Sequence, residues 1–209
     1  MNEEWHTEWF FATKRLEFLQ DFLEHTIRDV YTEWDDIEKR RENGDFSCFG
    51  DYERAMDFPL FREDIASRAI LYELNALVES LLHAIARPLW LHSVSHKGPK
   101  QIQDLSSITA ESLKTLKMVS DLPIDEIITL IEVRYNIIFK NIDGWSEFLV
   151  FLSKVNAFKH RDGKKHFREI NWEEKIASKD ILHKFRFDDA ETMLNQTSIL
   201  LKNLRILTK

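Results

Sequence analysis

The chain has 209 residues, 44% of them hydrophobic, with six Trp and fifteen Phe, which suits one folded domain over 1–209 with its own core and excludes a disordered segment. A single cysteine, Cys48, excludes an intramolecular disulfide and a multi-thiolate zinc site and fits a reducing, cytoplasmic setting. The formal net charge of −7 excludes nonspecific coating of nucleic acid, but residues 1–58 carry sixteen acidic and seven basic side chains, a net of −9, which leaves +2 for the rest.

The first element is marked by Trp9, Ala12, Leu16, Leu19, Leu23, Ile27, Val30, Trp34 and Ile37, which recur every three or four positions. That is the stripe of an amphipathic helix, ending before Gly44. The other few glycines and prolines also fall where apolar periodicities break and read as punctuation between helices. Their scarcity excludes a phosphate loop or dinucleotide fingerprint. A second helix is expected over Phe61–Arg87, with Ile65, Ala69, Tyr72, Ala76 and the cluster Leu77, Val78, Leu81, Leu82 and Ile85 facing inward and Pro88 stopping it. The polar stretch Leu91–Ser107, with Gly98-Pro99, reads as a loop, and a short helix is expected near Thr109–Ser120.

Pro123 suits the first position of a helix over Ile124–Lys140, whose Asp125 and Glu126 complement its dipole. Asp143 is the expected cap of the next helix, Trp145–His160, with Phe148, Leu149, Leu152, Val155 and Phe158 inward and Gly163 beyond its end. Residues 164–187 alternate briefly and suggest a small hairpin or extended arm. Asp188 reads as the cap of the last helix in a capping box with Glu191, followed by the apolar residues Met193, Ile199, Leu200, Leu204 and Ile206. The expected fold is therefore all-α, a bundle of about five to six helices with a long first one. No apolar run approaches the ~18 residues of a membrane span, and the acidic start MNEEWHTEW is no secretion signal.

The first helix raises a problem of length. Residues 1–41 as one helix would span roughly 60 Å at about 1.5 Å per residue, whereas a body of this size is roughly 43 Å across. An overhang would expose the apolar stripe unless another subunit covered it, so a homodimer is expected.

Chemistry concentrates in SKVNAFKHRDG, Ser153–Gly163. Asn156 and His160 are four apart and share a helix face, with Lys159, Arg161, Lys164, Lys165 and Arg168 crowding the same end. An imidazole that moves protons near neutral pH, beside cations that hold anionic oxygens, suits a phosphate ligand. The plainer reading is a helix carboxyl end decorated with favourable cations.

These residues resemble the motif of the HEPN superfamily, small all-α proteins that include ribonuclease toxins and antiphage effectors. That motif places Arg before His near a helix end with four to six residues between them and commonly reads Arg-Asn-x-x-x-His. VNAFKH, Val155–His160, matches at Asn156 and His160 and departs at the Arg, which is Val155; Lys154 meets the looser spacing with Lys in place of Arg. Glu79 in LYELNALVESLLHAIA is similar to the acidic residue on a companion helix of that superfamily. The resemblance implies a homodimer whose motif copies share one cleft, acting in toxin–antitoxin or antiphage defence or in stress. It implies either metal-independent RNA cleavage by the 2′-hydroxyl or a degenerate member that binds RNA or a nucleotide. His160 would transfer the proton, Asn156 would orient, and Lys154 or Arg161 would supply the cation, with no cofactor.

Two other classes compete. His92 and His96, with Glu79 and His83, have the i,i+4 spacing of helix-borne metal ligands, but no HExxH accompanies them and a solvent-facing histidine pair is the simpler reading. Cys48 lies among Asp45, Asp51 and Glu53, which disfavour a thiolate. A noncatalytic interaction or immunity-type module would instead bind a protein partner through the acidic first helix.

Overall fold

The computed structural model describes residues 4–86, 92–95, 98–101, 116–117, 122–161 and 185–208. Its architecture is an all-α bundle. Helix α1 spans Glu4–Glu42, α2 Phe49–Ala86, α3 Ile124–Tyr135, α4 Trp145–Arg161 and α5 Phe187–Leu207, with a 3-10 turn at Phe139–Asn141. Short strands β1 (His92–Ser95), β2 (Gly98–Gln101) and β3 (Leu116–Lys117) form a small antiparallel sheet in the order β2-β1-β3. A hairpin thus stands where composition predicts a loop, and Pro99 fits it because β2 is an edge strand. Residues 116–117 are extended, paired with His92 and Ser93, where a helix is expected; strand pairing overrides local propensity there. The arm expected over 164–187 lies outside the described residues except for its last three.

The stripe on α1 holds it as one helix of 39 residues, about 58 Å long. Its cover is α2, which runs antiparallel beside it: Arg15 bonds Glu73, and Glu33 meets Arg62 at 3.0 Å. Helix α2 begins at Phe49, twelve residues before the expected start, and carries Pro59 inside. A proline there loses one backbone hydrogen bond, yet the helix continues, with Pro59 buried and α1 alongside both halves. This extension corrects the expectation that the overhanging stripe needs another subunit. Ile37 is buried within the chain itself, close to Ala55 and Phe58.

The contiguous core is built around α2, whose Ile70, Leu74, Val78, Leu82 and Ile85 are almost wholly buried with Ile127, Ile131, Phe139, Met193 and Leu200. One 18-residue window of α2 reaches a mean hydropathy of 1.3, enough by length and composition to cross a membrane, and 56% of it is buried inside the bundle. That corrects the expectation that no segment is apolar enough. Three inward assignments on α2 change as well. Ile65, Ala69 and Ala76 are exposed, because α2 is apolar on more sides than its neighbours cover, while Tyr72 is half-buried against the core.

Local boundaries follow from caps. Pro123 precedes α3 in an extended conformation rather than opening it, and α3 ends at Tyr135 because Asn136 turns left-handed. Helix α4 starts after Gly144 at φ +88°, whose carbonyl accepts the Phe148 N–H at 3.0 Å. Leu149 is exposed and Phe151 takes the expected inward place. On α5, Ile199 and Ile206 are exposed, while Ala190, Leu194 and Leu201 fill the core. The cap of α5 is also shifted: Arg186 precedes the helix, and its backbone N–H donates to Asp189 at 3.1 Å.

Gly144 also sets how closely α4 approaches α5. A Cβ there would lie 2.6 Å from the Gln196 carbonyl oxygen and 3.1 Å from the Leu200 nitrogen. Gly144→Ala is therefore expected to destabilise the fold by about 2–4 kcal/mol, through left-handed strain and backbone overlap together. Chemical denaturation reads this as a lower midpoint at an unchanged slope; a midpoint equal to wild type would contradict it.

Candidate functional site

Helix α4 buries Phe148, Phe151, Val155 and Ala157 against the core, with Leu152 and Phe158 half-buried beside them. A helix advances 100° per residue, so Asn156 leaves the core face next to Val155 and is exposed. His160 and Arg161 lie in the last turn of α4, and their side chains are outside the described set. Lys164, Lys165 and Arg168 also lie outside the described residues.

The two positions where the motif's Arg would fall, 154 and 155, are both committed elsewhere. Val155 is only 1% exposed, so the register of α4 turns that position into the bundle, where a guanidinium would be buried. Lys154 Nζ donates to Asp189 Oδ1 at 2.7 Å and lies 5.2 Å from the Phe151 ring centre and 6.0 Å from that of Phe185. Asp189 in turn holds the start of α5 through the Arg186 N–H.

This pair belongs to a larger polar junction. Glu63 on α2, only 7% exposed, accepts the Phe187 N–H at 3.1 Å through Oε1 and the Arg186 guanidinium at 2.7 Å through Oε2. Neighbouring Asp64 accepts the Phe185 N–H at 3.4 Å and pairs with Arg68 at 2.7 Å. The Arg68 guanidinium sits 5.0 Å from the Phe158 ring centre, and Phe158 lies 4.9 Å from Phe185. The last turns of α4 are thereby seated on α2 and on the start of α5.

Toward solvent, Lys159 is exposed and its Nζ lies 5.9 Å from the Tyr72 ring centre. Glu79 is seven residues beyond Tyr72, two turns along the same side of α2. It is half-buried and accepts the Asn75 Nδ2–H at 3.1 Å. Asn75 Oδ1 and His83 Nδ1 are buried and have no hydrogen-bond partner among the described residues. Tyr72, Asn75, Glu79 and His83 thus make a polar line on a mostly apolar helix, leading away from the end of α4. Tyr72 and Asn75 were missed by sequence reasoning, although their three-residue spacing within an apolar run was a readable signal.

The remaining candidates separate from this place. His92 stands on the extended strand β1 and His96 lies outside the described residues, so the pair is not helix-borne. Cys48 is exposed at the α1–α2 connection. Nearby, a hydrogen bond from Ser47 holds the Asp51 carboxyl below its ordinary range, and the hydrogen bond with Glu38 pushes the Tyr52 hydroxyl up. On α3, burial pushes the Tyr135 hydroxyl up against the opposing pull of Arg134. No family model, curated protein or solved structure matches the chain.

The Lys154–Asp189 contact gives a direct test of whether Lys154 serves the fold. A double-mutant cycle with Lys154→Met and Asp189→Asn is expected to give a coupling energy of about 1–2 kcal/mol, the range of a charge-assisted hydrogen bond reduced by partial exposure. A coupling near zero would show that the fold does not hold Lys154 in place.

Proposed function

We propose that the chain is a HEPN-like helical domain, acting as a cytoplasmic homodimer in nucleic-acid-linked defence or stress, whose α4 carboxyl end binds RNA or a nucleotide. The observation that carries this reading is the division of α4's last turns: Val155 is buried, Asn156 and Lys159 are exposed, and His160-Arg161 close the helix. Asn156 supplies an amide for a base edge or ribose hydroxyl, and Lys159 and Arg161 supply charge for phosphate oxygens. His160, four residues from Asn156, falls on the same side.

Cleavage at this site has a narrower requirement than binding. The 2′-oxygen must lose its proton as it attacks the adjacent phosphorus, and the 5′-oxygen must gain one as its P–O bond breaks. His160 is the group for proton transfer. A cation must meanwhile face the developing charge on the phosphoryl oxygens. With Val155 in the core and Lys154 bonded to Asp189, that cation is Arg161 or Lys159. Binding is therefore the primary reading and metal-independent cleavage an added capacity.

The measurement is RNA and nucleotide binding, and RNA cleavage, at low salt with EDTA present. Wild type is expected to bind with affinity that falls as salt rises, and Lys159→Ala, Arg161→Ala and His160→Ala each to weaken binding. If cleavage accompanies binding, His160→Ala abolishes it, and Arg161→Ala slows it by about 10²–10³-fold if that guanidinium faces the phosphorane. Wild-type protein that neither binds nor cleaves under these conditions sinks the reading. An interaction module would then be the better account, favoured by the aromatic side chains that α1 and α2 expose.

A further inference from the structure

Helices α3, α4 and α5 cover the α1–α2 pair incompletely. On α1, Phe11, Phe18 and Phe22 follow one another at seven and four residues, the spacing of one helix side. On α2, Phe58, Phe61 and Ile65 do the same at three and four. All six are between 41% and 69% exposed. The two stripes border one another, since Arg15, between Phe11 and Phe18, reaches across to Glu73, and Phe58 lines a cleft with Ile37 and Asp36 of α1. Exposed Ala69 and Ala76 continue the α2 stripe along the same side.

We propose that a second copy of this chain docks on this face, with the α1–α2 pair of each copy laid antiparallel on that of the other. The exposed area fits such a contact. With about 200 Å² for each large side chain, the six expose roughly 700 Å², close to the ~800 Å² that each partner of a stable interface buries.

The face is also self-complementary. Arg15 lies seven residues before Phe22 and Asp29 seven after it, so both share its side of α1. A two-fold axis crossing α1 at Phe22 sets Arg15 of each copy, itself paired with Glu73 of its own chain, beside Asp29 of the other. On α2 the same axis falls near Ala69, the position level with Phe22 between the Arg15–Glu73 and Glu33–Arg62 contacts. It then lays the bulky Phe58 and Phe61 of one copy against small, exposed Ala76 and Ser80 of the other.

An anionic lipid surface is disfavoured as the occupant, because residues 1–58 carry a net of −9. The axis has one structural consequence. Tyr72, one turn from Ala69, carries Lys159 above its ring, so the α4 ends of both copies come to the same edge of the dimer. The interface itself does not depend on what α4 binds.

Light scattering of wild type is expected to give twice the chain mass of 24.9 kDa, and Phe22→Glu or Phe61→Glu to return it to the monomer with helical circular dichroism unchanged. A cysteine at the axis separates this arrangement from any other dimer. In a Cys48→Ser background, Phe22→Cys is expected to cross-link two chains under mild oxidation. Phe10→Cys, exposed on another side of α1, is expected not to. A monomer at all micromolar concentrations overturns the proposal. So does a dimer that survives both glutamate variants, or monomeric protein that uses these aromatics to bind anionic vesicles. Failure here leaves RNA binding by α4 to stand or fall on its own assay.

Discussion

A buried carboxylate organises this bundle. Glu63 lies on α2, 124 residues away in sequence from Phe187, whose N–H it accepts as α5 begins. The first N–H groups of a helix have no partner within it, and leaving one buried and unmet costs about 1–3 kcal/mol. Glu63 meets one of them and the Arg186 guanidinium, and Asp189 meets the preceding N–H while binding Lys154 on α4. Three helices are thereby registered by a few charge-assisted bonds, with the Phe158–Phe185 contact beside them. The exposed end of α4 inherits its position from this junction.

A second consequence concerns the length of α1. A helix about 58 Å long cannot be covered by one compact core, and the contiguous core along it reaches Val30, with Trp34 packed at its edge. Beyond that point α2 provides the cover, with Tyr52 bonded to Glu38 and the Arg41 guanidinium over the Tyr52 ring. Apolar surface that the stripe does not present appears instead on the outer side as Phe11, Phe18 and Phe22. The physical case for association therefore moves from the inner stripe to the outer aromatics.

Charge near a helix terminus is common and weak evidence of chemistry, so the informative residues are those whose alternatives are removed. Val155 is removed by burial and Lys154 by its bond to Asp189. What is exposed on the described part of this end is the Asn156 amide and the Lys159 ammonium, the latter beside Tyr72 on α2. It is on this amide and this ammonium that the proposal of an anionic, hydrogen-bonding ligand rests.

Periodicity and punctuation made much of this legible in advance. The α1 stripe, the extent of α4 and the all-α class follow from spacings of three and four residues, which are local and survive in any tertiary setting. The motif residues Asn156 and His160 were equally visible, as was Glu79. Other features depended on partners far along the chain. Pro59 reads as a helix stop until α1 is laid beside it, and Ile65, Ala69 and Ala76 read as core until the neighbours of α2 are known to lie elsewhere. The α5 cap looked like Asp188 because a local pattern fits there, but Glu63 and Asp189 move the start to Phe187. Sequence by itself determined which residues could form helix faces; only the tertiary structure decided which faces were covered and which charges were spent on the fold, because both depend on contacts between residues 35 to 124 positions apart.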